Sequence, residues 1–429
     1  MNFRAKNPWL WVPSLYFAEG LPYFAVTSIS LMMYKNLGLS NAEIAFYTSW
    51  LNFPWVIKCL WSPFVDLLKT KRWWILSSEC LIGAGLAGIA FCIPAHFYLQ
   101  ATLAIFWLLA FASATHDIAA DGFYMLGLTA DEQTFFVGIR NAFYKVANLF
   151  GQGTLIYFAG MLEKKTGNIP FAWSLTFLTT AGLFLAFFAY HRFSLPNPVS
   201  DQPDRNMEAK RILKNFALTF KTFFTKKQAG AAVFFMLTYR FSEAQLLKLI
   251  QPFLLDTRDK GGLGLETEQV GLIYGIVGVV GLLLGGIVGG ILAVRGGLKK
   301  WLWPMLLSML VTSATFVYLA YFLPDNGFTI RLCVFIEQFG YGFGFTAYTL
   351  FLIYYSEGEQ KTAHYAICTG LMSLGMMLPG MAAGWIQEKL GYPHFFLWVM
   401  VCSVVPIIAT ALLKVDDKIS TETQITPTE

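Results

Sequence analysis

Asp117 and Asp121 stand four residues apart inside an apolar stretch, so a helix would carry both carboxyls on one face, one turn apart. Two carboxylates that close in a low dielectric resist ionising together, which makes the pair a candidate proton acceptor. Asp121 has a structural alternative: it lies near the end of its stretch, where Arg140 or Lys145 could pair with it. Beyond a short acidic turn, Arg140 opens a second stretch in which Asn141, Tyr144, Lys145, Asn148 and Gln152 recur at three- and four-residue steps. That stripe of amide, phenol and ammonium groups suits the hydroxyls and carboxylates of a polar solute, and equally suits hydrogen bonding between helices. Further acids, Glu19, Glu243 and Glu337, interrupt other apolar stretches. Arg240 precedes Glu243 by three residues and can reach it on the same helix face. Glu243 therefore reads as a salt-bridged acid, Glu19 as the sharper proton carrier and Glu337 as a third. His116 and His364 sit in apolar windows with polar company and could relay protons near neutral pH. The bland alternative for each is a hydrogen-bonded packing residue. Tyr341 and Tyr348 share a helix face near Glu337 and are the choices for stacking on a sugar ring.

Such groups are expensive in hydrocarbon, and this chain is built for hydrocarbon. Its 429 residues are 56% hydrophobic and only 13% charged, against roughly 25% charged in soluble domains. Twelve apolar windows of spanning length appear, near 10–33, 43–64, 73–93, 99–127, 138–162, 171–191, 230–255, 268–293, 301–323, 329–355, 362–387 and 393–413. Their length predicts helices rather than barrel strands, because each span must satisfy its own backbone. The expected fold is an all-α membrane protein. The first window is too long for a signal peptide and is followed at once by another, so it reads as a retained helix. Cysteines fall in or beside apolar windows without ligand spacing or a disulfide framework. No nucleophile–base pair or phosphate loop is visible, so no enzyme activity, cofactor or metal site is expected.

Lys and Arg crowd the loops on the side of the N-terminus, and the stretch 192–228 alone carries eight of them. By the positive-inside rule both termini are cytoplasmic, and the net charge of +5 needs no nucleic-acid partner. The organisation expected is a six-helix half over 1–192, a linker over 193–228, a second six-helix half over 229–413 and a tail over 414–429. The linker opens on a proline-rich extended run. It continues with Ile212, Leu213, Phe216, Phe220, Phe223 and Phe224 at helical steps among lysines, a pattern that suits a helix on an anionic leaflet. The stretch from Tyr16 lines up loosely with that from Arg240, placing Glu19 opposite Glu243. Glycines at 271, 275, 278, 281, 285, 286, 289 and 290 allow close helix approach.

Twelve helices in two pseudo-symmetric halves is the plan of the major facilitator superfamily. Within that plan, the words FAEGLPYFAVTSISLMMY, IKCLWSPFVD, SATHDIAADGFY, FFMLTYRFSEAQ, FIEQFGYGFGFTAYTLFLIY and TAHYAICTGLMSLGMMLPGMAAGW resemble AmpG-like permeases, collinearly over nearly the whole chain. The resemblance implies a proton-coupled importer of anhydro-muropeptides, disaccharide-peptide fragments of peptidoglycan, in the bacterial inner membrane. It carries over Asp117 and Asp121 as the two acidic positions of the fourth helix, Arg140 as the basic position that opens the fifth, and Glu337 as the acid of the tenth. Combined with the reading of the residues themselves, proton coupling is expected of Glu19, Asp117, Asp121 and Glu337, and substrate contacts of Arg140, Asn141, Tyr144, Lys145, Asn148, Gln152, Arg240, Glu243, Tyr341, Tyr348 and His364. The turn holding Asp66, Lys69, Lys71 and Arg72, with Lys58 before it, corresponds to the superfamily's gating charge lock. The implied partners are a glycopeptide or saccharide, protons and the bilayer, and the implied state is a monomer. This chain departs from the family at Glu19, His116, Leu67 and His364, and has Phe123-Tyr124-Met125 where the family has Tyr-Arg soon after the second Asp. Those changes leave open an importer of another oligosaccharide or amphiphile, or a non-transporting receptor.

Overall fold

The computed structural model describes residues 7–202, 209–358 and 360–414, with the side chains of all but 66, 130 and 209–216. The expected tail beyond Lys414 and the middle of the linker's opening lie outside that part. Among the described residues the regular structure is helical. In chain order the helices used below are α1 (Val12–Phe24), α2 (Asn41–Trp50), α3 (Phe53–Leu68), α4 (Lys71–Cys92), α5 (Tyr98–Gly127), α6 (Ala130–Asn148) and α7 (Ile156–Thr166). After them come α8 (Ile169–Ser194), α9 (Ala209–Phe224), α10 (Ala229–Thr238), α11 (Phe241–Leu255), α12 (Val279–Thr312), α13 (Gly327–Ser356) and α14 (Lys361–Cys402).

Local chemistry sets where several of them begin and end. Pro22 cannot donate a backbone hydrogen bond, and the chain answers just beyond it with a wider π turn over Ala25–Ile29. A capping box starts α6: Glu132 N–H donates to Thr129 Oγ1 at 3.4 Å, and Thr129 N–H donates to Glu132 Oε2 at 2.9 Å. Asn168 caps α8 by accepting from Phe171 N–H at 3.0 Å. Two glycines with positive φ, Gly297 (φ 71°) and Gly391 (φ 72°), break the long helices α12 and α14.

By length and composition, five stretches among the described residues are apolar and long enough to cross a membrane: Lys71–Cys92, Tyr98–Gly127, Ile169–Ser194, Thr267–Phe322 and Lys361–Ala411. The last two contain the Gly297 and Gly391 breaks. Polar groups and prolines interrupt the remaining apolar helices.

Contacts sort the chain into two units. The first comprises 1–39, 50–213 and 267–275; its core at one end joins Trp11, just before α1, and Leu15 and Tyr16 of α1 to Ile75, Ala119, Ala120 and Phe123 of α4 and α5. The second comprises 40–49, 214–266 and 276–429; its core joins Phe235 and Tyr239 to Met305, Tyr348 and Phe351. In the second unit the glycines of α12 allow backbone contact with α13. A Cβ on Gly285 would stand 2.1 Å from the Phe339 carbonyl oxygen, and one on Gly342 2.1 Å from that of Leu282.

The linker does form a helix, but its last turn docks on protein. Phe223 is fully buried in the second unit's core, with ring centroids 5.4 Å from Tyr355 and 5.6 Å from His364. Phe224 remains exposed, and the side chains of Ile212, Leu213 and Phe216 lie outside the described part. Lys226 ties the end of the linker down by donating to the carbonyls of Tyr355 at 2.6 Å and Glu357 at 2.8 Å.

Candidate functional site

Four helices of the first unit bring five charged groups together. Lys58 of α3 pairs with Asp117 of α5, Nζ to Oδ2 2.9 Å, and Arg140 of α6 pairs with Asp121, Nη2 to Oδ1 2.9 Å. Tyr16 of α1 donates its hydroxyl to the same Asp121 oxygen at 3.3 Å. The Arg140 guanidinium lies over the rings of Tyr16 (4.6 Å) and Tyr124 (5.1 Å), which orient it and supply cation–π attraction. Glu19 of α1 is buried against this group and feels Asp117, Asp121 and Arg140. Its Oε2 has no hydrogen-bond partner among the described residues. Three acids thus face two cations, and the cluster is neutral only when one acid keeps a proton.

This geometry revises the pairing read from spacing. Asp117 and Asp121 do share a helix, yet each has its own cation, so the acid left over is Glu19 rather than a member of the pair. Lys58, expected with the gating turn, has its ammonium on Asp117. In that turn the backbone N–H groups of Lys71 and Arg72 donate to the Asp201 carboxylate at 2.7 and 3.0 Å, an anion placed at the start of α4. Lys69 lies 5.8 Å from the Trp73 ring, and the side chain of Asp66 is outside the described part.

The polar stripe is only partly a stripe. Asn141 and Lys145 are exposed, while Tyr144 is half-buried and packs its ring on Phe24 at 5.9 Å. At Leu149–Leu155 the helix widens into a π turn, which shifts the register, and Gln152 there donates to Asn148 within the helix. His116 turns away from the charge cluster. It is fully buried beside Glu79 of α4, Nε2 to Oε1 3.5 Å. Glu79 Oε1 also meets His191 Nδ1 at 2.5 Å, and His191 Nε2 lies 2.9 Å from Ser14 Oγ. Glu79 and His191 were not singled out by spacing; the signal available was a lone acid in the third apolar window. Beside Ser14 opens a groove of about 620 Å³ walled by Trp9, Pro13, Phe17, Phe143, Phe150 and Phe187, too apolar for a sugar's hydroxyls.

In the second unit Arg240, at the junction of α10 and α11, binds Glu243 through Nε (2.5 Å) and Nη2 (2.8 Å). Nη2 also donates to the Tyr341 hydroxyl at 2.8 Å, and the guanidinium lies 5.2 Å from the Tyr341 ring and 4.9 Å from that of Phe345. Glu337 is buried and accepts from Gln338 Nε2 at 2.8 Å. Two expected substrate contacts are spoken for. Tyr348 is fully buried, stacks on Tyr239 at 4.9 Å and donates its hydroxyl to the Met236 carbonyl. His364 is buried under the linker helix, its Nε2 3.0 Å from Thr222 Oγ1.

An all-helical fold that pairs charges across neighbouring helices suits a solute carrier, and the chain belongs to the major facilitator superfamily, whose sequence profile matches residues 14–363. It is similar to the anhydromuropeptide permease of Escherichia coli K12, with 24% identity over 395 residues covering 90% of this chain and 76% of that protein. The putative transporter AmpG 4 of Rickettsia conorii is 22% identical over 90% of this chain and 91% of its own length. An uncharacterised protein of Haemophilus influenzae is 25% identical over 91% of this chain and 90% of its own. Among solved structures, the nucleoside transporter NupG superposes with a TM-score of 0.69 at 15% identity over 95% of this chain and all of its own. A D-xylose–proton symporter gives 0.68 at 13% identity, over 94% of this chain and 95% of its own. At those identities the structures speak for the fold alone.

Proposed function

We propose that this transporter is a proton-coupled importer of peptidoglycan-derived anhydro-muropeptides, GlcNAc-anhydroMurNAc with or without its peptide. In this reading the chain crosses the bacterial inner membrane twelve times, in two six-helix halves with both termini in the cytoplasm, and works by alternating access. The AmpG-like relatives support the substrate class. The observation that carries the coupling is the unequal charge count around Glu19: three acids, two cations, and one carboxyl oxygen without a partner. A buried carboxyl with no countercharge of its own is stable in lipid surroundings when it holds a proton, and releasing that proton requires contact with water. Glu19 is thus the proton-exchanging acid. Lys58 and Arg140 pair with Asp117 and Asp121 beside it, so a proton on Glu19 balances the charge count of the group.

The test is uptake of labelled GlcNAc-anhydroMurNAc, with and without peptide, into proteoliposomes under an acid-outside gradient. Gradient-driven accumulation is expected in the wild type. Glu19→Gln should lose accumulation while retaining exchange of labelled for unlabelled substrate. Absence of uptake by folded, correctly oriented protein overturns the substrate, and accumulation by Glu19→Gln equal to wild type overturns the proton role.

A further inference from the structure

The cations Lys58, Arg140 and Arg240 each have an acid within 3 Å. Lys248 in α11 does not. Its ammonium donates to the Thr48 hydroxyl of α2 at 3.0 Å, and no acid lies within ion-pair reach among the described residues. The group does not escape to lipid headgroups, as an unpaired lysine on an outer face would. Thr48 is fully buried, and Lys248 Cε lies 3.5 Å from where a Cβ on Gly380 of α14 would stand, so the ammonium is held among α2, α11 and α14. An ammonium offers three donors, and Thr48 takes one.

A second observation falls on the same helix face. Gln251, three residues on, is buried, and neither its Nε2 nor its Oε1 has a partner among the described residues. An interior amide with both ends unmatched is uncommon, because each end gives up water without replacement. Lys248 and Gln251 together present a full positive charge and an N–H donor one helical turn apart, neither of them paired to an acid among the described residues.

Resting on the transporter reading above, we propose that Lys248 and Gln251 form an anion subsite that takes a carboxylate of the transported solute. The ammonium neutralises the carboxylate, and the Gln251 amide donates to its second oxygen. A single cation suits a monoanion better than a phosphate dianion, and a lysine binds as a point charge without demanding a planar fork. Arg240 cannot fill this role while Glu243 holds it in a two-point pair.

Equilibrium binding to purified wild type, Lys248→Gln and Lys248→Arg tests this with two ligand pairs. One is GlcNAc-anhydroMurNAc, which bears a lactyl carboxylate, against its lactyl amide; the other is glucuronate against glucose. Wild type should prefer the acid of whichever pair binds by about 10- to 100-fold, the range of a charge-assisted hydrogen bond. Lys248→Gln should abolish the preference by weakening the acid while leaving the neutral partner's affinity in place, and Lys248→Arg should retain part of it. An acid preference that survives Lys248→Gln, or an equal loss of acid and neutral ligand, overturns the subsite. Acid preference dependent on Lys248 in the glucuronate pair alone keeps the subsite and overturns the muropeptide reading. Binding in neither pair overturns both.

Discussion

Arg240 and Glu243 show how far a residue pair can be read from spacing: three apart on one helix, they have little choice but to meet, and their side chains do so at two points. Both are buried, so removing one charge strands the other. Arg240→Gln should destabilise the protein by about 3–5 kcal/mol, the usual result of breaking a buried ion pair from one side. Thermal unfolding in detergent would show this as a lowered midpoint, and Arg240→Gln combined with Glu243→Gln should recover much of it. The pairs Lys58–Asp117 and Arg140–Asp121 were not legible in the same way. Their partners lie on separate helices: the sequence offered Arg140 or Lys145 to Asp121 without choosing between them, and named no cation for Asp117. Tyr348 and His364 make the same point from the other side. Their types suit a sugar or a proton, but Met236 and Thr222, remote in sequence, already engage them.

At the scale of elements, glycine position decides what a helix tolerates. Gly285 and Gly290 are both interior to α12, yet a Cβ on Gly285 would strike the Phe339 carbonyl at 2.1 Å whereas one on Gly290 would meet nothing within 4 Å. Gly285→Ala should therefore lower the unfolding midpoint, since backbone must move apart. Gly290→Ala should be neutral or stabilising by up to about 1 kcal/mol from helix propensity. The run of glycines announced close packing without saying which glycines make it, because that depends on the facing helix. The linker helix offers a second case. Its periodic phenylalanines marked an oily face, but the sequence could not choose between lipid and protein as the surface under it. Phe223 is enclosed by Tyr355 and His364, and its loss should weaken docking by about 3–5 kcal/mol. Limited trypsin digestion should then cut Phe223→Ala in the connector faster than wild type, with the rest of the chain equally resistant.

For the whole molecule, the proposed topology is open to direct test. With both termini inside, Phe97, exposed in the turn before α5, faces outward. A Phe97→Cys variant in a cysteine-free background should react with an impermeant maleimide added to intact cells, whereas a cysteine placed at Lys227 should react only after the membrane is opened. The reverse pattern overturns the orientation. The sequence by itself determined that this protein is helical and built for a bilayer, because hydrophobic length and local helix periodicity are properties of neighbouring residues, and its collinear motif words carried the resemblance to a family of carriers. Only the tertiary structure decided that Glu19 is the acid left without its own cation, that His116 lies beside Glu79 instead of the charge cluster, and that Lys248 has no acid within ion-pair reach among the described residues. Those outcomes depend on which helices pack side by side and at what rotation, and electrostatic balance in a low-dielectric interior is a sum over groups that separate helices bring together.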